Sequence, residues 1–535
     1  MEQGLKYLLL LMLMFGIFFA SCSTKIPSDV EIAKKTHIKE NFSNVDEEAK
    51  SLNVSNLTQK KGALAQFGAL INDKELIALL EIGLERNTNV LIMLSRIKQA
   101  KSQVKINTAN MFPTINGSLN TNYTDRRTQN QAITIRPGTN SVNASAGLSW
   151  ELDLFGKLNA LRKSSKKAYD QAQSNLANAQ ISLIGEVASL YFTLRDNAHN
   201  LNLSKAMVEN LKEIDEIAQV RYKQGLININ DYKTIKANFI AQQNSYESLQ
   251  YTYEQNKNAL LVLLDINDAD LIKKVDFLSN GAKSTQLANN NADDFTDSML
   301  NSTKESKEYP YEIPKITTFE VNAIPAQVVL KRPDVQASIY ALHSQLYKTT
   351  NAKVSQLPTI SLSGSIGEVL YSNTGSGSLI YQIANSIAAP LLNRTSLRQN
   401  YLTQKELSNE AFYTLQSTIN TAISEMENAL FDKDSKRRQV QNNRAIFDIA
   451  KEAYDSDIIR AKSGMLDRSE FLSNQNSYYS LESQFFTSQI NELISAVTLF
   501  KAFGGDLYFY ADSVLLGERS TQSRDITQST LAIPN

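Results

Sequence analysis

The amino-acid sequence predicts an α+β membrane protein with a two-fold internal repeat, in which each half runs helix, strand, strand, very long helix, helix. Three observations predict this class: two pairs of short segments with a hydrophobic period of two, two very long helical patterns, and an N-terminal export signal. Four strands cannot close a barrel alone, because about eight is the smallest usual number. Three copies of the chain would give twelve strands and a water-filled lumen.

The composition excludes several classes of protein. The chain has 535 residues and equal numbers of basic and acidic residues, so a nucleic-acid partner has no electrostatic support. After residue 21, no apolar run approaches the roughly 20 residues that a membrane helix needs. This excludes a helical membrane protein, but not membrane strands, whose alternation is averaged out in hydropathy windows.

Residues 1–21 have the form of a secretory signal peptide, with Lys6 followed by an apolar run that ends at Ala20. Cys22, the only cysteine in the chain, follows at once, as in a bacterial lipobox with Phe19 where leucine is usual. We therefore expect lipidation of Cys22 and anchoring in outer-membrane lipid. The alternative is a chance cysteine beside an ordinary cleavage site. Residues 22–70 are expected to form a lipidated N-terminal arm.

The first repeat is predicted to span residues 71–267. A helical pattern runs from Glu75 to Asn110 and ends before Pro113, and strands are expected at about 112–123 and 140–152. In both strands apolar residues alternate with small polar ones, which is typical of strands with lipid outside and water inside. The alternative is a soluble hairpin with one wet face. A very long helix follows and turns back at about residue 225.

The second repeat is predicted to span residues 330–506, after a polar linker at 268–329 that includes a long insertion at 282–308. Its strands are expected at about 357–370 and 378–392, and its helical hairpin turns at about residue 464. Two short motifs align between the halves with the same offset of 245 residues, at 87–90 against 332–335 and at 112–115 against 357–360. Residues 507–535 form a polar C-terminal tail.

The two hairpin tips carry the same pattern: a base four residues before a glycine and a carboxylate six residues after it. These positions are Arg221, Gly225 and Asp231 in the first tip, and Arg460, Gly464 and Glu470 in the second. We expect Asp231 and Glu470 to form a periplasmic gate, held shut by contacts with nearby bases, which include Lys223 and Lys462. The alternative is that these charges only complement the helix dipoles.

Three groups of residues carry a resemblance to a known family. They are Trp150 to Gly156, Ile324 to Ala326 with Leu330 to Val335, and the paired glycine tips. On these residues the chain resembles the TolC-like outer-membrane efflux proteins, of the OprM/NodT lipoprotein type, over nearly the whole mature chain.

The resemblance implies a homotrimer whose twelve-stranded barrel continues through the periplasm as an α-helical coiled-coil barrel. It also implies partners, namely a periplasmic adaptor protein and an inner-membrane pump of the RND or ABC type, and contact between the tips and the adaptor. The function implied is that of a gated exit duct for drugs or other small molecules. In TolC a tyrosine and an arginine help to hold the aperture shut. Ala461 and Leu466 stand at those positions here, so we expect closure to be organised differently.

Other functions have less support in the sequence. The three histidines, His37, His199 and His343, have no metal-ligand spacing, and no phosphate loop or nucleophile elbow occurs, so we predict no enzyme activity, cofactor or metal. A general diffusion porin explains the strands and leaves the long helices without a role. A periplasmic coiled-coil structural protein explains the helices and leaves the strands without one.

Overall fold

The computed structural model describes residues 27–28, 31, 62–124, 139–267, 269–278, 311, 313–316, 326–372, 379–388 and 393–505. Cys22, the signal peptide, the insertion at 282–308 and the C-terminal tail lie outside the described residues. No helix in the described ranges is both long and apolar enough to cross a membrane.

The two halves of the chain share the series helix, strand, strand, very long helix, helix, and the first half has further short helices before and after it. The first half has helices α1 (Ala63–Leu70), α2 (Lys74–Arg86) and α3 (Thr88–Ala109), strands β1 (Thr114–Thr124) and β2 (Thr139–Leu152), and helices α4 (Lys157–Lys223), α5 (Ile229–Leu264) and α6 (Ala269–Val275). The second half has a 3₁₀ turn (Ala326–Lys331), helix α7 (Pro333–Val354), strands β3 (Thr359–Ser372) and β4 (Leu379–Ala388), and helices α8 (Arg394–Lys462) and α9 (Arg468–Ala502).

Corresponding helices have nearly equal lengths. Helices α3 and α7 both have 22 residues, α4 and α8 have 67 and 69, and α5 and α9 have 36 and 35. The four strands and the long helices predicted from periodicity are therefore confirmed. Each long helix is about 100 Å in length at 1.5 Å per residue.

The helix expected from Glu75 to Asn110 is wrong in one respect, because it is two helices separated at Asn87. The Asn87 Oδ1 atom accepts hydrogen bonds from the backbone N–H groups of Asn89 and Val90, at 3.0 and 3.2 Å, and so caps α3. Its Nδ2 atom donates to the Leu263 carbonyl at 2.8 Å. A side chain that bonds to the backbone in this way favours a new helix start over continuation, which apolar periodicity alone does not reveal.

The four strands form one antiparallel sheet in the order β1-β2-β3-β4, so β2 and β3 join the two halves. The register aligns the apolar positions across all strands: Ile115 lies opposite Leu148, Ala146 opposite Ile366, and Ile360 opposite Ile387. The intervening positions align small polar residues, such as Ser118 with Ser145 and Ser149 with Ser363. Since paired residues lie on the same side of a sheet, one face is mainly apolar, interrupted by Glu368 and Asn385, and the other is mainly small and polar, interrupted by Ile380.

The chain divides into two compact units. The first contains the sheet and the adjoining parts of α3, α4, α7 and α8 within residues 93–175 and 333–420. In this unit Trp150 Nε1 donates to the Met111 carbonyl at 2.9 Å. The Asp153 carboxylate accepts from the N–H groups of Leu158 and Asn159, which caps the start of α4. The sequence from Trp150 to Gly156 therefore fixes the passage from strand to long helix.

The second unit contains the remaining helices and most of the apolar core. Tyr191 and Phe192 of α4, Tyr253 of α5 and Phe500 of α9 are fully buried in it. Arg332 is 7% exposed; its guanidinium donates to the Ala502 carbonyl and to Glu425, each at 2.7 Å. The arginine thus ties α8 to the end of α9 within this unit.

Candidate functional site: the paired hairpin tips

Both hairpin tips have the same backbone conformation. Gly225 and Gly464 lie in the left-handed region, with φ of +76° and +70°. The N–H groups of Leu226 and Met465, which follow them, donate to the carbonyls five residues earlier, at 2.9 Å in each case. This is the Schellman arrangement that ends a helix, and it favours glycine, which has no Cβ atom, at the turning position.

The first tip is closed by contacts within its own hairpin. Asn228 is the N-cap residue of α5. Its Oδ1 atom accepts a hydrogen bond from the Asp231 N–H at 2.9 Å, and its Nδ2 atom donates one to the Asp231 carboxylate at 2.7 Å. Tyr222 and Tyr232 stack across the turn, with ring centroids 5.4 Å apart. Asp231 is therefore committed to the first turn of α5.

The second tip differs at the start of its returning helix. Asp467 occupies the N-cap position of α9, yet its side chain does not cap its own helix. Its two carboxylate oxygens instead accept hydrogen bonds from Arg221 Nη2, at 3.0 and 2.9 Å. Ser469 Oγ also donates to this carboxylate. The N-cap residue of α9, in the second hairpin, is thus bonded to the last turn of α4, in the first hairpin.

A second ion pair joins the same two hairpins. Arg468 donates to both oxygens of Glu213, from Nε at 2.7 Å and from Nη2 at 2.9 Å. Glu213 lies on α4, about two turns before Arg221. We call the two pairs, Arg221–Asp467 and Arg468–Glu213, the hairpin latch.

Polar and apolar contacts flank the hairpin latch. Asn210 Nδ2 on α4 donates to Gln475 at 3.0 Å and to Asn476 at 2.9 Å on α9. An apolar cluster lies nearby, formed by Leu466, Phe471, Leu472, Ile214, Tyr454, Ile458 and Ala461. Because Ile214 belongs to the first hairpin and the others to the second, apolar burial also holds the hairpins together.

Neighbouring groups hold the pKa of Asp467 below its ordinary value of 3.8. The largest contribution is the hydrogen bond from Ser469, followed by the hydrogen bond and positive charge of Arg221. The carboxyl is therefore ionised at neutral pH, which is the state that binds Arg221. Exposure limits the strength of this pair, since the Arg221 and Asp467 side chains are 40% and 48% exposed.

The structure separates the residues predicted for this site into two groups. Arg221 contacts the other hairpin, but its partner is Asp467 and not Asp231 or Glu470. Arg460 pairs with Asp457 on its own helix at 3.1 Å. Asp231 and Glu470 are exposed in the first turns of α5 and α9, and their role in a gate stays a prediction.

Sequence reasoning missed Glu213, Asp467 and Arg468. One signal was available, because Asp467 and Asn228 both lie three residues after a tip glycine, where a returning helix begins. The first tip has the amide of Asn228 at that position and the second tip has the carboxylate of Asp467. The carboxylate marks the second tip as the one that binds a base. Ala461 and Leu466 both lie in or against the apolar cluster, and the way in which the tips close at these positions stays a prediction.

The outermost residues of both tips are apolar and exposed. Leu226 is 69% exposed and Met465 is 75% exposed, and each directly follows a tip glycine. The two halves of the repeat therefore each present one large apolar side chain to solvent at the same position of the tip.

Comparison with known proteins identifies the family. The model of the family described as outer membrane efflux protein matches residues 79–264 and 324–505, one stretch in each half. The chain is 25% identical over 467 residues to the solvent efflux pump outer membrane protein SrpC of Pseudomonas putida, covering 83% of this chain and 88% of that protein. It is 24% identical over 459 residues to outer membrane protein OprJ of Pseudomonas aeruginosa, covering 84% and 88%.

Solved structures share the fold. The CmeC outer membrane channel of Campylobacter jejuni matches with a TM-score of 0.69 and 22% identity, over 90% of this chain and 94% of that one. The open state of the Neisseria gonorrhoeae MtrE outer membrane channel matches with a TM-score of 0.62 and 20% identity, over 90% and 97%.

The family match spans both halves of the repeat and includes both tips. It confirms the predicted role in efflux and the predicted location in the outer membrane. It also assigns the chain to a class of transport proteins and not to a class of enzymes. The chain belongs to the outer membrane efflux protein family.

Proposed function

We propose that three copies of this chain form the exit duct of a tripartite efflux system, closed at its periplasmic end by the hairpin latch. The duct would carry drugs or other small molecules to the outside without chemistry of its own. The observation that carries this proposal is the four-stranded sheet with one apolar and one small polar face, combined with two hairpins that end in matching tips.

The sheet supports association of copies. Strands β1 and β4 are its two edges, and backbone groups at an open edge cannot be left unpaired in lipid. Two copies would supply eight strands, a number whose interior is filled by side chains. Three copies supply twelve, which leaves room for a lumen lined by the small polar face. Exposed apolar residues on α5 and α8, among them Ile240, Tyr251, Phe431 and Ile449, are also consistent with further helix packing between copies.

The partners proposed are a periplasmic adaptor and an inner-membrane pump of the RND or ABC type. Relatives of this chain are named as outer membrane proteins of efflux pumps, which supports a pump that supplies the energy. Leu226 and Met465 offer an apolar surface at the tips, and three chains would present six such side chains to the adaptor. Lipidation of Cys22 remains part of this proposal as an additional anchor.

The gate would work through the contacts between hairpins. While the hairpin latch and the apolar cluster are intact, the second hairpin stays against the first. Adaptor contact at Leu226 and Met465 would compete with these weak, partly exposed ion pairs and release the second hairpin. Asp231 and Glu470, as exposed carboxylates near the tips, would then add negative charge to the narrow end and favour cations.

Conductance in a planar lipid bilayer tests this proposal. We expect a small conductance for the purified protein and a larger one for a variant that carries Arg221→Ala and Arg468→Ala. Arg444→Ala is a matched control, because Arg444 is exposed on α8 and its ion pair, 4.0 Å to Asp448, lies within one helix. A wild-type conductance that is already large and does not change would refute the gate and favour a general diffusion porin.

A further inference from the structure

A buried imidazole and a buried carboxyl meet between the two hairpins, in the second unit and away from the tips. His199 of α4 and Glu482 of α9 are 7% and 19% exposed, and His199 Nε2 lies 3.9 Å from Glu482 Oε1. The imidazole stacks on the ring of Phe486, with centroids 4.0 Å apart. In the described part of the chain, Oε2 of Glu482 is buried and has no hydrogen-bond partner.

Other polar groups around the pair are mostly satisfied by hydrogen bonds. Asp196 accepts from Thr487 at 2.7 Å, and Asn200 accepts from Ser483 at the same distance, both between α4 and α9. The titratable and charged groups that act on Glu482 or its tyrosine neighbours are Glu209 of α4, Lys451, Tyr454 and Asp455 of α8, and Arg468, Tyr478 and Tyr479 of α9. Of these, Lys451 is the base that favours the ionised form of Glu482. Asp196 lies about one turn before His199 on α4, and burial raises its pKa.

We propose that His199 and Glu482 together hold one proton, carried by Glu482 in the packed state and by His199 when this contact opens to water. The geometry favours a neutral carboxylic acid beside a neutral imidazole. A carboxylate here would leave a buried oxygen uncompensated, and an imidazolium would be buried against the Phe486 ring. This inference does not depend on the duct being trimeric or gated.

The pKa shifts of the two groups agree with this arrangement. Burial raises the pKa of Glu482 from 4.5 to about 7, with a smaller opposing effect of Lys451. Burial lowers the pKa of His199 from 6.5 to about 4. Between pH 4.5 and 6.5, both the packed and the opened states therefore carry one proton, on different residues.

The consequence is a contact that is insensitive to pH. For Glu482 alone, raising the pH from 4.5 to 7 would destabilise the packed state, because only the packed state still holds its proton. For His199 alone, lowering the pH from 6.5 to 4 would destabilise it, because only the opened state accepts a proton. The two effects have opposite signs and cancel where they overlap. The hairpin contact would then respond to a docking partner and not to the acidity around it.

Nuclear magnetic resonance of histidine-labelled wild-type protein gives the first test. The chain has three histidines, and replacing His199 by glutamine identifies its signal. We expect the His199 imidazole to stay neutral down to below pH 5. An imidazole at this position that titrates between pH 6 and 7 would overturn the proposal, and this result needs only the wild type and the His199→Gln variant to be folded.

Hydrogen exchange of the peptides around residues 195–205 and 478–490, corrected for the intrinsic pH dependence, gives the second test. From the shifts above, the opening constant of the wild type should change only about two-fold between pH 5 and 7.5. In the Glu482→Gln variant, the opening constant should be on the order of tens of times larger at pH 5 than at pH 7.5. His199→Gln should show a change of similar size in the opposite direction.

Two further variants complete the comparison. The double variant Glu482→Gln, His199→Gln should return to a flat profile, and Glu452→Gln, at an exposed position of α8, should match the wild type. Flat profiles for both single variants, or a steep profile for the wild type, would refute the sharing of a proton.

Discussion

The hairpin latch makes a quantitative prediction for a charge swap. The Arg221–Asp467 pair has two hydrogen bonds of 3.0 and 2.9 Å between side chains that are 40% and 48% exposed. Exposed pairs contribute about 0–1 kcal/mol, and we take the upper limit for this pair, in which one guanidinium nitrogen, Nη2, donates to both carboxylate oxygens. In the proposed trimer, three such pairs would stabilise the closed state by about 3 kcal/mol, which is a factor of about a hundred in the ratio of closed to open channels.

The assay is single-channel recording of four proteins in a planar bilayer. Arg221→Asp and Asp467→Arg should each raise the open fraction, because each places two like charges in contact. The variant with both substitutions restores an opposite-charge pair and should recover most of the closed fraction. The interaction energy from this double-mutant cycle should be at least about 2 kcal/mol per chain, because the cycle compares two attractive pairs, each worth about 1 kcal/mol, with two like-charge pairs.

This prediction is contradicted if the effects of Arg221→Asp and Asp467→Arg on the free energy of opening simply add in the double variant. Additivity would mean that Arg221 and Asp467 do not act on each other in the closed channel. An unchanged open fraction in both single variants would show that the apolar cluster, not the hairpin latch, holds the hairpins together.

Three other perturbations have defined outcomes. Arg332→Ala leaves the Ala502 carbonyl and Glu425 without their donor and should lower the free energy of unfolding by about 2 kcal/mol, measured by denaturant titration with Arg444→Ala as control. Because the pKa of Asp467 is lowered, its pair with Arg221 is present above pH 3.8 and is lost only as the pH falls below that value. Conductance should therefore rise only in strong acid, and Asp467→Asn should show the rise already at pH 7. Cys22→Ser should abolish incorporation of radiolabelled fatty acid, whereas retained label would place the acyl group elsewhere.

Sequence periodicity predicts the four strands and the very long helices of the fold. Strands show a period of two and helices a three-four spacing, and the match of Leu357-Pro358 with Phe112-Pro113 aligns the two halves. The break at Asn87 was missed because it depends on a side chain that bonds to the backbone of the next helix and to Leu263. Such a bond leaves no trace in the spacing of apolar residues.

The candidate site was predicted less completely. The glycine tips follow from local backbone chemistry, which sequence reveals directly. The partner of Arg221 depends on how α4 and α9 align side by side, and two long helices with regular apolar spacing can align in several registers. Asp231 and Asp467 were both available by charge, and only the three-dimensional register places Asp467 within reach.

Labelling of single cysteines in intact cells tests the central claim, that the strands span the outer membrane and the tips lie in the periplasm. The variants are Thr128→Cys, between β1 and β2, and Gln224→Cys, beside the first tip glycine, each compared with the wild type to subtract Cys22. The account predicts that a membrane-impermeant maleimide labels residue 128 in intact cells and residue 224 only after the outer membrane is permeabilised. Labelling of residue 224 in intact cells, with residue 128 protected, would contradict it.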